Sequence, residues 1–143
     1  MIHNIKEWFK AAKPEPTVKD AWVQIGCHYE EVAEMADALW DDELQESAVN
    51  AANAYKDADD YCIYFLECLT ESQRIEVLDA ICDQIVTAVG VAYMMGMDIE
   101  GALAEVNRSN WSKFKGGIVP VFNEHGKIVN GADYTPPELS DYI

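Results

Sequence analysis

Three acidic residues share one face of a predicted helix in the second half of the chain. Glu76, Asp79 and Asp83 are three and four residues apart, a spacing that places their carboxylates on one strip of an α-helix. Thr87 and Gly90 continue the strip, and nearly every other position of this helix is apolar. A helix that is apolar on most sides is normally buried, and burying clustered carboxylates is costly. The strip therefore needs basic partners, protonation or a bound hard cation, unless it faces an open cleft.

A second acidic set lies on an earlier predicted helix, on the side away from its apolar stripe: Glu30, Glu31, Glu34, Asp37 and Asp41. Acids opposite an apolar stripe are usually a solvated face. Val23, Met35 and Ala38 weaken that interpretation, because they put apolar atoms on the acidic side as well. The alternative to a solvated face is a helix that is packed against other parts of the protein on both sides.

Helical periodicity would position both acidic sets. A short helix at about 4–12 is followed by an extended connection at 13–16, which contains two prolines. Thr17 then caps the first major helix, whose apolar stripe runs to about Asp42. Residues 43–69 contain no proline or glycine and predict one helix or two shorter ones, with a break at a run of aspartates.

The second major helix begins with a capping box, Thr70 and Gln73, and ends at Gly96. Another helix follows to about Asn110. Beyond it, glycines, prolines and short β-branched runs predict a small β-hairpin or an extended tail. We therefore expect a single domain over residues 1–143, an all-α bundle of four to five helices with a short extended or hairpin C-terminal tail.

The charge balance argues against several classes of function. Lys and Arg number 10 against 26 Asp and Glu, so the formal net charge is -16 and we expect no nucleic-acid partner. No apolar stretch reaches the roughly 18–20 residues that a membrane span needs, and the N-terminal segment lacks the pattern of a signal peptide. We expect a cytoplasmic protein with no membrane partner, in which the four cysteines are free thiols.

Three motifs carry a resemblance to a known superfamily. The run Glu30–Glu34 reads E-E-V-A-E, Glu76–Asp79 reads E-V-L-D, and Ser109–Lys113 reads S-N-W-S-K. In this order they resemble the motifs of the all-α nucleoside triphosphate pyrophosphohydrolases, which include MazG and phosphoribosyl-ATP pyrophosphohydrolase. The chain is similar to the small MazG-like members often encoded by phages, for which the cytoplasm would be that of the host.

The first motif has an alternative alignment. Glu43 and Glu46 also read E-x-x-E, and 41 residues separate Glu34 from the second motif, more than is usual in the superfamily. We prefer Glu31 and Glu34, because they belong to the strongly periodic helix and Glu30 completes the E-E-x-x-E form.

The resemblance implies a reaction that depends on Mg²⁺, or on Mn²⁺ in its place. The ion ligands would be carboxylates of both motifs and of the turn that follows: Glu31, Glu34, Glu76, Asp79 and Asp83. Glu30 or Glu34 would accept the proton of an attacking water. Cations between carboxylates and phosphates would let so acidic a chain bind a nucleoside triphosphate, which is split into monophosphate and pyrophosphate.

The resemblance also implies substrate contacts near the third motif. The superfamily contacts phosphate through an Asn and a Lys that correspond to Asn110 and Lys113, and Arg108 lies beside them. A basic residue near a helix C-terminus can instead interact with the helix dipole. This is the alternative for Lys113 and, more strongly, for Arg108.

Two other functions are open at the level of sequence. Phosphoribosyl-ATP pyrophosphohydrolase activity would use the same scaffold. A non-enzymatic acidic helical protein that binds a metal or a partner protein would account for the net charge, although the chain lacks the glycine that an EF-hand loop requires after its aspartates.

The two major helices also bear on assembly. Their apolar surface exceeds what the shorter helices can cover, and a second copy is the simplest cover. We therefore expect a homodimer or homotetramer with each active site near a subunit boundary.

Overall fold

The computed structural model describes every residue except Ala58 and His125, and only the backbone of Asp60. Ala58 belongs to the predicted break and His125 to the predicted hairpin, so these two positions of the predictions lie outside the described residues. Six α-helices lie in the described part of the chain: α1 Ile2–Ala12, α2 Val18–Ala38, α3 Asp42–Lys56, α4 Asp60–Glu67, α5 Glu71–Met94 and α6 Ile99–Ser112. The prediction of an all-α fold is confirmed, with six helices instead of four to five.

The C-terminal region contains a small hairpin, one of the two alternatives predicted for it. Two short strands, β1 (Val121–Phe122) and β2 (Ile128–Val129), pair with each other. A short 3₁₀ helix at Ser140–Tyr142 ends an otherwise extended tail.

The chain divides into two compact units. The first unit consists of Met1–Pro14, Thr70–Val121 and Ile128–Ile143. The second unit consists of Glu15–Leu69 and Phe122–Lys127, so that the loop of the hairpin belongs to it.

In the second unit, α2 begins with a capping box and ends earlier than predicted. The Thr17 hydroxyl accepts the backbone N–H of Asp20, whose carboxylate accepts the backbone N–H of Thr17. The helix ends at Ala38 and not near Asp42, because Trp40 adopts a left-handed conformation with φ of 59°. The spacing of apolar residues holds no information about such a left-handed residue, so the periodicity overestimated the length of the helix.

Small residues let α2 and α3 approach closely. Ala33 and Ala36 of α2 are buried, as are Ala48 and Ala52 of α3. A Cβ added to Gly26 would lie 2.9 Å from the carbonyl oxygen of Ala52, so this position tolerates only glycine at the observed spacing. The predicted break after α3 is confirmed, because a new helix, α4, begins at Asp60.

Aromatic residues form the core of the first unit. Trp8, Ala12 and Phe114 are buried together, with Trp111 and Ile128 packed against them. The indole N–H of Trp8 donates a hydrogen bond of 2.8 Å to the backbone carbonyl of Asn110, which joins α1 to α6. The predicted capping box at Thr70 is confirmed, and the Asp98 side chain caps α6 by accepting the backbone N–H of Gly101.

The second major helix, α5, is exposed along almost its whole length. Of its 24 residues, all of them described, only Ala92 is buried. Leu78, Val86 and Tyr93 are 62%, 67% and 79% exposed. The expectation that a helix apolar on most sides is buried is therefore wrong for the isolated chain. Within its unit, α6 packs on α5, but it leaves most of the apolar side chains of α5 exposed.

Two further expectations concern the whole chain. All four cysteines are free thiols, of which Cys27 is buried while Cys68 and Cys82 are exposed. None of the described helices is long and apolar enough to cross a lipid bilayer.

Candidate functional site

The second unit contains an acidic pocket between α2 and α3. Its volume is about 480 Å³, which is within the range of roughly 300–1,000 Å³ that is typical of small-molecule sites. Its lining combines three carboxylates, two carboxamides, one ammonium group and three apolar side chains: Glu30, Glu34, Asp37, Gln45, Asn53, Lys127, Ala33, Val49 and Ala52. We call this cavity the α2–α3 pocket.

Helix geometry explains why the acids share the pocket. Glu30, Glu34 and Asp37 are four and three residues apart, so they lie on one face of α2. Gln45 of α3 faces them from the other wall, where its amide donates a long hydrogen bond of 3.5 Å to the Asp37 carboxylate. The open pocket therefore keeps the acidic face of α2 accessible to a ligand.

Glu30 is held by two lysines. Its carboxylate forms ion pairs with Lys56 at the end of α3 and with Lys127 of the hairpin loop. Burial alone would raise the pKa of Glu30, but the hydrogen bonds from Lys127 and Lys56 outweigh it and lower that pKa below its ordinary value. Glu30 is therefore a paired, ionised carboxylate in this structure.

The hairpin loop carries Lys127 to the pocket. The side-chain oxygen of Asn123 accepts a hydrogen bond of 2.9 Å from the backbone N–H of Lys127, and the Asn123 backbone N–H donates to the Lys127 carbonyl at 3.0 Å. Burial would lower the pKa of Lys127, but its contact with Glu30 raises that pKa overall. The loop thus fixes the backbone from which the ammonium group reaches a carboxylate that is 97 residues away in sequence.

Sequence reasoning missed both Lys56 and Lys127 as members of the site. Lys56 closes a helix whose composition suggests only a solvated C-terminus, and Lys127 follows the turn of the predicted hairpin. The sequence signal at Lys127 is the preceding Gly126, which indicates a turn of the hairpin but no contact with α2. No local spacing relates either lysine to Glu30.

The predicted site residues are distributed over both units. Glu30 and Glu34 line the α2–α3 pocket, whereas Glu31 is exposed on the same helix and is not among the described lining residues. Asp37, for which the sequence predicts no role, lines the pocket as well.

The second acidic motif belongs to the first unit. Glu76, Asp79 and Asp83 are all exposed on α5. The Ser72 hydroxyl lies 3.5 Å from a carboxylate oxygen of Glu76, and the Thr87 hydroxyl donates to the backbone carbonyl of Asp83 at 2.9 Å. These carboxylates are accessible to solvent, and their roles as ion ligands stay predictions.

The donor chemistry of the α2–α3 pocket fits a hard cation. Carboxylate and amide oxygens are the ligands that Mg²⁺ prefers, and Glu34, Asp37 and Asn53 supply them. Among the residues that the structure describes, no three acidic, histidine or cysteine side chains are gathered closely enough to hold an ion. A cation here would therefore need waters or ligand phosphates to complete its coordination, which is usual for Mg²⁺.

Arg108 has a structural role in the first unit. Its guanidinium binds both carboxylate oxygens of Glu105, at 2.8 and 2.7 Å, and also contacts the Thr135 hydroxyl and the Pro136 carbonyl. The hydrogen bonds from Arg108 and from the Glu138 backbone lower the pKa of Glu105 to about 2. Arg108 thus ties the C-terminal tail to α6, which favours the structural interpretation over phosphate binding.

The other residues of the third motif make structural hydrogen bonds, except for the side chain of Lys113. The Ser109 hydroxyl donates to the Thr135 carbonyl at 2.9 Å, and the Ser112 hydroxyl accepts the Thr135 backbone N–H at 2.8 Å. The Asn110 carbonyl accepts the indole N–H of Trp8. Lys113 is half-buried, and its ammonium group has no hydrogen-bond or ion-pair partner among the described residues.

The main structural evidence for function is the α2–α3 pocket. Its features are a small-molecule volume, an acidic helix face and a lysine pair on one carboxylate. No protein-family model, no curated protein and no solved structure matches the chain.

Proposed function

We propose that this protein is a Mg²⁺-dependent nucleoside triphosphate pyrophosphohydrolase that releases a nucleoside monophosphate and pyrophosphate. The observation that carries the proposal is the α2–α3 pocket, into which the first acidic motif projects Glu30 and Glu34. The volume of the pocket suits a small ligand, and its oxygen-rich lining suits a ligand that arrives with hard cations. The resemblance of the second and third motifs supports the same reaction class.

Within this proposal, the two glutamates of the pocket have different roles. Glu30 is engaged by two lysines and has a lowered pKa, which makes it a poor proton acceptor. Glu34 lines the same cavity one helical turn away and is our choice for the group that accepts a proton from water. Bound Mg²⁺ would neutralise phosphate charge in a pocket whose carboxylates outnumber its ammonium groups.

The remaining carboxylates contribute through ion binding in the proposed reaction. The resemblance assigns ligands to Glu31, Glu76 and Asp79, with Asp83 one turn further along α5. Lys113 is the proposed phosphate contact of the third motif, with the side chain of Asn110 beside it. The exposure of the α5 carboxylates is compatible with this assignment, since an ion must reach them from solvent.

A substrate panel tests the reaction. Ribo- and deoxyribonucleoside triphosphates and phosphoribosyl-ATP are incubated with Mg²⁺, and pyrophosphate and phosphate are measured separately. We expect pyrophosphate as the first product and no turnover after chelation. Phosphate as the first product, or full activity after exhaustive chelation, would contradict the proposal. Turnover of phosphoribosyl-ATP alone would instead favour the alternative function, phosphoribosyl-ATP pyrophosphohydrolase activity.

Matched glutamine substitutions test the site. Glu34→Gln should lower kcat/KM at least about 100-fold, because it removes a group that acts on charge in the transition state. Glu76→Gln on α5 should have an effect of similar size. Glu43→Gln and Glu46→Gln are matched controls on the exposed face of α3 and should retain activity. The reverse result would favour the alternative E-x-x-E alignment.

We further propose that the working form is a homodimer or homotetramer that covers α5. The supporting observation is the exposure of apolar side chains along a 24-residue helix, an unusually large apolar surface for an isolated chain. Val86→Lys tests this, because a side chain that is 67% exposed in one copy can be replaced without disturbing the fold of that copy. We expect the variant to stay folded and to dissociate in sedimentation experiments, while Gln24→Lys on α2 should not dissociate. A wild-type protein that is an active monomer of 16.0 kDa would refute the proposal.

A further inference from the structure

The α2–α3 pocket contains an arrangement that sequence motifs did not suggest, namely one carboxylate shared by two lysines. Lys56 and Lys127 both contact Glu30, but their accessibility differs. The Lys56 side chain is 13% exposed and the Lys127 side chain is 39% exposed. One lysine of the pair is thus largely withdrawn from solvent, whereas the other is within reach of a ligand.

The different burial of the two lysines suggests a division of roles. Removing the only partner of a partly buried carboxylate is costly, because the charge is left unpaired. Here the contact between Lys56 and Glu30 would persist if Lys127 turned away. Lys127 can therefore exchange its carboxylate for another anion at low cost, while Lys56 keeps Glu30 in place.

The lining restricts which anion could take that place. Lys127 is the only ammonium group among the described lining residues, and it faces three carboxylates. A bare anion would be repelled by this excess of negative charge. A phosphate group that carries a divalent cation avoids the repulsion, because the cation meets the carboxylates while a phosphate oxygen accepts a hydrogen bond from the lysine.

We propose that Lys127 is a phosphate-contacting residue, which the hairpin loop delivers to the α2–α3 pocket and which exchanges its contact with Glu30 for a phosphate oxygen of a cation-bound polyphosphate. Lys56 is a positioning residue that retains Glu30 during the exchange. The inference rests on the proposed function and deepens it, because it adds a phosphate contact inside the pocket to the contact expected from Lys113. Asn123 supports the exchange by fixing the backbone of Lys127.

Calorimetric titration with inorganic pyrophosphate, in the presence of Mg²⁺, tests the exchange without depending on turnover. Lys127→Met should weaken binding about 10- to 100-fold, the range expected for one charge-assisted hydrogen bond. Lys127→Arg should recover most of the affinity. Lys10→Met is the matched control, because it removes a lysine from an exposed ion pair with Glu7 in the other unit, and it should bind as the wild type does.

Thermal unfolding of the same variants separates the two lysines. Lys56→Met should lower Tm more than Lys127→Met, because Lys56 is the more buried partner of Glu30. Wild-type pyrophosphate affinity in a folded Lys127→Met variant, or no binding of Mg²⁺-pyrophosphate by the wild type, would overturn the inference. Equal effects of Lys56→Met and Lys127→Met on both affinity and Tm would also overturn it.

The test distinguishes this inference from the proposed function. A protein that binds Mg²⁺-pyrophosphate through Lys127 but hydrolyses no nucleotide of the panel would keep the binding site and lose the proposed reaction. A protein that hydrolyses nucleotides with unchanged KM in the Lys127→Met variant would keep the reaction and lose the proposed contact.

Discussion

The stop signal at the end of α2 can be tested by replacing a tryptophan with glycine. Trp40 occupies the position at which glycine usually ends a helix. The Asp41 N–H donates to the Ala36 carbonyl and the Trp40 N–H donates to the Asp37 carbonyl, both at 3.0 Å, which is the hydrogen-bond pattern of a Schellman motif. Trp40 has φ of 59° and is 92% exposed. It therefore has the strain of a left-handed L-residue with little compensation from burial.

The size of the effect follows from two opposing terms. A left-handed conformation costs an L-residue roughly 1–2 kcal/mol, which glycine avoids. Glycine loses more backbone entropy on folding, which offsets about 0.5–1 kcal/mol of that gain. Trp40→Gly should therefore be more stable than Trp40→Ala by about 0.5–1 kcal/mol. In a chain of this length the difference corresponds to a Tm shift of about 2 °C.

Denaturant and thermal unfolding of the two variants measure this difference. The matched control is Gln24, which is exposed within α2. There the order should reverse, with Gln24→Gly less stable than Gln24→Ala by about 1 kcal/mol, because the backbone is right-handed. Equal stability of Trp40→Gly and Trp40→Ala, or the same order at both positions, would refute the reasoning.

Three further predictions concern packing, hydrogen bonding and pH. Gly26→Ala should destabilise the fold by about 1–3 kcal/mol in denaturant unfolding, because its Cβ would clash with the backbone of α3. Trp8→Phe should cost about 1 kcal/mol more than Trp22→Phe, since the Trp8 N–H has a partner and the buried Trp22 N–H has none among the described residues. Glu105, whose pKa is lowered to about 2 by Arg108, contributes stability above pH 4.5 that is lost as pH falls towards 2. The stability difference between the wild type and Glu105→Gln should therefore shrink over that range, and a constant difference would contradict the assignment.

The candidate site was only partly predictable. Glu30 and Glu34 follow from local spacing, because residues four apart on a helix share a face whatever the rest of the chain does. The two lysines on Glu30 could not be found this way. Lys56 reaches Glu30 through the packing of α2 on α3, and Lys127 through a hairpin loop far along the chain. Such pairings depend on long-range contacts, for which local periodicity holds no information.

The sequence by itself determined the helices and most of their ends. The capping boxes at Thr17 and Thr70 and the cap at Asp98 rest on contacts between residues three apart, so they form wherever those residues occur. Local chemistry also gave the hairpin its place, through its glycines and β-branched residues.

Only the tertiary structure decided which surfaces are covered and which charges meet. Periodicity marks α5 as apolar on most sides, but it cannot say whether those sides are covered, and in the structure only Ala92 of its 24 residues, all of them described, is buried. The stop at Trp40 also escaped prediction, because the residue type argues against a left-handed conformation that the turn into α3 imposes. Burial and ion pairing are properties of neighbours in space, and in this chain those neighbours come from distant segments.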